Sequence, residues 1–275
     1  GRPDLFATSY NRSVADVVKG LVGEPHEKHP NKLYRNLDGK RFQDVTKAAG
    51  LDLVFATMGS NFGDFDNDGF LDMYLGTGDP YLGTLIPNRM FRNDGGTRFQ
   101  DVTTAGGFGQ LQKGHAIAFG DLNNDGAQDI YSVVGGVYTA DHYPNQLFAN
   151  PLHDGHWLKL QLEGVQTNRL ALGARIKVVV QTEQGTEREI HRLVGTGSSF
   201  GGNPLRQEIG LGSARKIVRV EIFWPVSGQT QVLTGLEPDR MYTVREGAAT
   251  AVPVALKSFP WPEPATSAHH HHHGN

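Results

Sequence analysis

One short phrase, written twice and begun a third time, limits what this chain can become. Residues 31–46 read NKLYRNLDGKRFQDVT, residues 88–103 read NRMFRNDGGTRFQDVT, and Asn145 opens a third copy, NQLFAN. The copies start at Asn31, Asn88 and Asn145, a constant interval of 57 residues. Two acidic loops, Asp64-Phe-Asp-Asn-Asp-Gly-Phe-Leu-Asp72 and Asp121-Leu-Asn-Asn-Asp-Gly-Ala-Gln-Asp129, keep the same interval. Repetition at this period marks a unit that cannot bury its apolar face alone and must stack on its neighbours. Asp-Gly and Gly-Gly turns between alternating segments predict about four short antiparallel strands per unit, the content of a β-propeller blade.

The register also places the start of the chain. Gly1-Arg-Pro-Asp4 aligns with Gly69-Phe-Leu-Asp72, so the sequence opens inside an acidic loop of which only the last carboxylate, Asp4, is present. We therefore read it as the C-terminal part of a longer protein. The first unit is 11 residues longer than the next, and its extra segment holds Val14, Val17, Val18, Leu21 and Val22 at helical spacing behind a Ser13/Asp16 capping pair. Near Pro151 the period breaks. From Trp157 to Arg245 seven short alternating segments divided by Gly turns predict a small β-sandwich. The expected architecture is all-β: about three blades of a partial propeller over residues 1–150, a sandwich over 151–247, and a Pro-rich tail over 248–275. The histidines at 269–273 read as an expression tag.

Each acidic loop presents oxygen donors at loop positions 1, 3, 5 and 9, with glycine at position 6. Alternate side chains of a tightly curled loop converge on one centre, an arrangement suited to a hard cation that takes six to eight oxygens. The expected ligands are Asp64, Asp66, Asp68, the Phe70 carbonyl and Asp72 in the first loop. In the second they are Asp121, Asn123, Asp125, the Ala127 carbonyl and Asp129. Asp4 is the remnant of a third set. An EF-hand would place Glu at position 12, where Leu75 and Ser132 stand, and both flanks read as strands. The expected ion is Ca2+, since magnesium's octahedral shell fits such loops poorly.

Other chemistry is sparse. The chain has no cysteine, which removes disulfides, thiolate metal sites and thiol nucleophiles together. Net charge is −3 with no basic tract, which argues against nucleic acid, and no apolar run approaches the length that spans a bilayer. No nucleophile elbow, phosphate loop or dinucleotide fingerprint is present. His153 and His156 read as a polar hinge at the boundary, and His26 and His29 as loop residues. With strands committed to the core and acidic loops to cations, recognition is expected on irregular segments: 11–30, 136–144 with Tyr138, His142 and Tyr143, and the glycine-rich 195–205. Within the last, Ser198, Asn203 and Arg206 are the expected partner-binding residues.

These residues resemble a known pair of modules. GDFDNDGFLDMYLGTG and GDLNNDGAQDIYSVVGG are similar to FG-GAP/VCBS repeats, the calcium-loaded blades of integrin-α type. His156-Trp-Leu-Lys-Leu, Asn168-Arg169, Leu172-Gly-Ala-Arg-Ile, Gly195-Thr-Gly-Ser-Ser-Phe, Gly210-Leu-Gly and Phe223-Trp-Pro-Val-Ser-Gly resemble the ASPIC/UnbV domain. Blades followed by that domain are the arrangement of the cartilage acidic protein family and its bacterial relatives. The resemblance implies secretion, calcium and binding to other macromolecules. Such propellers usually close with about seven blades, so the edges of this partial one are expected to meet missing N-terminal blades or a protein partner.

Three functions follow as expectations. The first is a calcium-binding, extracellular or periplasmic, non-enzymatic interaction or scaffold protein that recognises another protein. The second is a carbohydrate-binding module, which would need Trp157, Trp224 or Tyr242 exposed as a platform for a glycan. The third is an accessory subunit or C-terminal part of a larger enzyme or membrane-associated complex.

Overall fold

The computed structural model describes the chain apart from residues 1, 11–12, 28–29, 79–80, 82, 137, 140–142, 152–154, 196–199 and 263–275. Ser198, His29, His142, His153 and the histidines at 269–273 thus lie outside the described residues. Three sheets carry the repeat. The first holds β1 (Leu5–Ala7), β2 (Lys32–Asn36) and β3 (Phe42–Asp44), and the second holds β4 (Thr57–Gly63), β5 (Asp72–Thr77), β6 (Arg89–Asp94) and β7 (Arg98–Asp101). The third holds β8 (Gly114–Gly120), β9 (Asp129–Val134) and β10 (Gln146–Phe148). All neighbours within them pair antiparallel.

Stacking uses the two faces of the second sheet. Met73, Leu75 and Phe91 join Phe6 and Leu33 of the first sheet in one apolar cluster. Tyr74 and Met90 turn the opposite way, onto Ile117, Phe119 and Ile130 of the third. Side chains alternate along a strand, so β5, lying between two neighbours, is buried at every position. Where an outer strand would read polar–apolar, this one reads Asp-Met-Tyr-Leu-Gly-Thr.

The repeated phrase is a hydrogen-bonding kit. Its first Asn accepts from a neighbouring strand in each copy: Asn31 from Ser9 N (2.7 Å), Asn88 from Thr77 N (2.8 Å), Asn145 from Val134 N (3.3 Å). Its second Asn donates its backbone N–H to the last carboxylate of the acidic loop: Asn36 to Asp4, Asn93 to Asp72, Asn150 to Asp129. In the Asp-Val-Thr ending, Asp44 and Asp101 accept from Thr46 N and Thr103 N, both at 3.0 Å. The threonine hydroxyls accept in turn from Leu33 N and Met90 N, also at 3.0 Å. Thr103→Val leaves the buried Met90 N–H without this partner and should cost about 1–3 kcal/mol. A urea midpoint equal to wild type would show that the hydroxyl contributes nothing.

Two further sheets follow Pro151. One is ordered β14-β11-β17-β18, from β11 (His156–Glu163), β14 (Gln207–Gly212), β17 (Arg240–Arg245) and β18 (Val252–Val254). The other is ordered β13-β12-β15-β16, from β12 (Arg175–Gln181), β13 (Glu187–Leu193), β15 (Lys216–Phe223) and β16 (Thr230–Leu233). Leu158, Leu160, Ile209 and Val244 of the first share one apolar cluster with Ile176, Val178, Ile190 and Val220 of the second. Among the described residues the chain is all-β apart from α1 (Val14–Val22), and about three blades is an undercount of the five sheets found there.

Two local expectations need adjusting. Helix α1 is capped by Ser13, whose hydroxyl accepts from Asp16 N at 3.1 Å. Only part of its apolar set is covered, since Val14 and Val17 pack on Val54, Ala56 and Ile86 while Val18, Leu21 and Val22 stay exposed. The Pro-rich tail reads as extended, and within it β18 pairs with β17 at Val252–Val254. Further on, Phe259 N donates to Asn123 O at 3.1 Å, and Asn124 Nδ2 donates to Lys257 O at 3.2 Å.

Candidate metal centre

The first loop runs from the end of β4 to the start of β5 and is curled by its own side chains. Asp64 Oδ1 accepts from Gly69 N at 3.2 Å, Asp66 Oδ1 from Asp68 N at 3.3 Å, and Asp68 Oδ1 from Phe70 N at 2.8 Å. Gly69 takes φ +93°, a conformation that favours glycine, and this permits the reversal. As a result one oxygen each from Asp64, Asp66 and Asp68 lies within 4.8 Å of the other two. Asp66, Asp68 and Asp72 line a cavity of about 590 Å³ together with Arg92, Phe65 and Phe108. A cation thus has an entry path.

Asp72, expected to close the cage, stands outside that triad. Its Oδ1 accepts from Asn93 N at 2.8 Å and its Oδ2 from Phe65 N at 2.9 Å. Asp129 does the same with Asn150 N and Leu122 N. Asp4 accepts from Asn36 N at 2.7 Å. These last carboxylates brace the segment that carries the repeated phrase in each unit, which the sequence pattern did not reveal. Phe70 sets its ring 5.7 Å from the Arg188 guanidinium.

The loop carries more negative charge than its surroundings balance. Burial pushes Asp64 up to about 6 against the pull of Arg192, and pushes Asp72 up to about 8. Asp68 is raised as well, again by burial. Against four carboxylates stand three guanidiniums: Arg92 Nε, 2.6 Å from Asp66 Oδ2, Arg192 Nη2, 2.6 Å from Asp64 Oδ2, and Arg188, whose charge bears on Asp68. An all-oxygen donor set with surplus negative charge and an open side fits a hard divalent cation.

The second loop has the same curl and a different filling. Gly126 N donates to Asp121 Oδ2 at 2.7 Å, and Ala127 N donates to Asp125 Oδ1 at 2.9 Å. Asn123 Nδ2 donates to Asp125 Oδ2 at 2.7 Å. The Lys159 ammonium, on β11, is paired with Asp121 Oδ2, and both side chains are fully buried.

Both loops are seated on the C-terminal sheets. Arg188 Nη1 donates to Asp68 O at 2.7 Å, Arg192 Nη1 to Gly69 O at 3.2 Å, and Gly210 N to Asp64 Oδ2 at 2.8 Å. Gly210 must be glycine for this seat, because a Cβ there would lie 2.3 Å from the Asn67 backbone. Glu208 Oε2 accepts from Asp121 N at 2.9 Å. Nothing in the sequence marked Lys159, Arg188, Arg192 or Glu208. Polar residues alternating with core positions along a strand read as a solvent face, and here that face is covered by the loops.

The residues expected to meet a partner are engaged within the molecule. Asn203 Oδ1 accepts from Asn61 Nδ2 (2.7 Å) and Phe119 N (2.9 Å), and its Nδ2 donates to Phe62 O (2.6 Å). Arg206 donates to Glu208 Oε1, Asn124 Oδ1 and Asp121 O. Both hold the junction between the repeat and C-terminal sheets. Trp224 and Tyr242 are buried in the core, and Trp157 is half-buried against Gly126, so none is an exposed platform for a glycan. His156 pairs with Asp239 at 2.6 Å.

No helix among the described residues is long and apolar enough to cross a membrane. A search of curated proteins finds no match to the chain. Family models do match: the FG-GAP-like repeat over residues 1–75 and 77–132, and ASPIC and UnbV over residues 164–251. The first covers the sheets whose loops hold the carboxylates, and the second covers most of the strands on which those loops sit. With both in this order along one polypeptide, the chain belongs to the FG-GAP repeat proteins that carry an ASPIC/UnbV domain.

Proposed function

We propose that this chain is a calcium-stabilised, non-enzymatic interaction protein of the extracellular or periplasmic space. The observation that carries the reading is the convergence of Asp64, Asp66 and Asp68 in a loop whose sequence repeats in register. Calcium at the roughly millimolar levels found outside cells suits a site of this kind. The two sheets after Pro151, sharing one core, we read as a sandwich on which the propeller loops rest.

Calcium counting on the metal-stripped and reloaded chain tests the reading. Wild type should retain calcium and gain thermal stability from it, because the ion binds only the folded loop. Asp66→Asn combined with Asp68→Asn should lose both effects. A double variant that binds as wild type does would remove the first loop as the site. Capture of a protein from an extracellular or periplasmic fraction in calcium, and its release by chelator, is expected alongside. Turnover of a glycan or ester substrate by the isolated chain would overturn the non-enzymatic part.

A further inference from the structure

We propose that the Lys159 ammonium takes the place of the ion in the second acidic loop, so that of the two complete loops only the first binds calcium. The inference rests on the calcium reading of residues 64–72. In each loop the N–H of the position-6 glycine bonds one oxygen of the first aspartate. In the first loop that oxygen is Asp64 Oδ1, bonded to Gly69 N at 3.2 Å. Arg192 and Gly210 hold the other oxygen, Oδ2, and leave Oδ1 to an ion. In the second loop the equivalent oxygen is Asp121 Oδ2, bonded to Gly126 N at 2.7 Å. Lys159 Nζ is paired with that same Oδ2.

The rest of the second loop is consistent with a resident ammonium. Position 3 is Asn123, whose amide donates to the position-5 carboxylate of Asp125 at 2.7 Å. Its counterpart in the first loop is the carboxylate Asp66, paired with Arg92 Nε at 2.6 Å. The first loop thus carries one carboxylate more than the second, and Arg192 pairs with the oxygen of Asp64 that Gly69 N does not bond, whereas Lys159 pairs with the oxygen of Asp121 that Gly126 N does bond. Lys159 has little room to withdraw. It sits on a strand paired on both sides, opposite Glu208 and Met241, and its side chain is 1% exposed. Its charge also lies 4.6 Å from the centroid of the Trp157 ring. Like charges a few ångströms apart repel strongly where water is excluded. A calcium ion on Asp121 would meet that repulsion from Lys159 with two charges of its own.

Bound calcium per chain, measured by titration of the metal-stripped protein up to about 1 mM calcium, decides the matter. Wild type should bind one ion, Asp66→Asn with Asp68→Asn none, and Asp125→Asn still one. Lys159→Met removes the ammonium and keeps an apolar stem, and should raise the count to two. Two ions in wild type, one of them lost in Asp125→Asn, would overturn the proposal even if Lys159→Met does not fold. So would a folded Lys159→Met that stays at one. A wild type that binds none defeats the calcium reading of the first loop, and the inference then stands or falls on whether Lys159→Met gains an ion.

Discussion

Replacing Arg192 with leucine should lower the melting temperature of the metal-free chain by on the order of 10 °C. Its side chain is 9% exposed, and that of its partner Asp64 is 1% exposed. Removing one member of a buried pair strands the other charge, which typically costs about 3–5 kcal/mol. In a chain of this size each kcal/mol moves the midpoint by roughly 2–4 °C. The substitution also removes the guanidinium bond to Gly69 O, so both the loop and its seat on β13 are weakened. Asp64→Asn in the same background should recover part of the loss, because the amide needs no counter-charge. A double-mutant cycle with coupling near zero would show that the two groups do not depend on each other.

The pair illustrates what could be read from residues alone and what could not. The interval between Asn31, Asn88 and Asn145 revealed the stacked sheets, and the spacing of Asp64, Asp66 and Asp68 revealed their convergence. Both are local patterns, carried by residues within one unit. The seat of the loops is not local. Arg192 lies 128 positions from Asp64, and Lys159 lies 38 from Asp121. No periodicity links such partners, and on their strands they look like solvent-facing alternation. Asp72 carries a second task that its spacing did not announce: it lies beneath Asn93 N and braces a strand while lining the same cavity as Asp66 and Asp68. Strand β18 escaped notice because Val252-Pro-Val254 is three residues long with proline at its centre, a pattern tolerated only at a sheet edge such as this one.

The seating also gives calcium a structural consequence. Asp64 offers one oxygen to the ion site and the other to Arg192 and Gly210 on the C-terminal sheets. An ion in the first loop therefore fixes the carboxylate on which the junction closes. The second loop closes the same junction through the Lys159–Asp121 pair. Stripping calcium should loosen one half of the interface and leave the other in place.

Acidity should report this directly, through a slope in the metal-free protein that calcium removes. Without an ion, burial holds Asp64 up to about 6 and Asp72 up to about 8, while in the unfolded chain both fall back to the ordinary aspartate value near 4. Between those values the folded state carries more protons than the unfolded one. Stability of the metal-free chain therefore decreases as pH rises from about 5 to 8, because folding must then hold buried carboxylates in their charged form. Calcium supplies the missing positive charge and displaces those protons, so affinity should climb over the same range. Each proton that only the metal-free folded chain retains changes the stability difference by roughly 1.4 kcal/mol for every pH unit. The melting temperatures of stripped and loaded protein should therefore lie close together at pH 5 and separate by about 3 °C or more per pH unit between 6 and 8. Asp72→Asn abolishes the titration with the highest midpoint and should flatten the metal-free curve above pH 7. Parallel curves with and without calcium would mean that the ion does not touch these carboxylates, and would return the first loop to the status of an acidic turn.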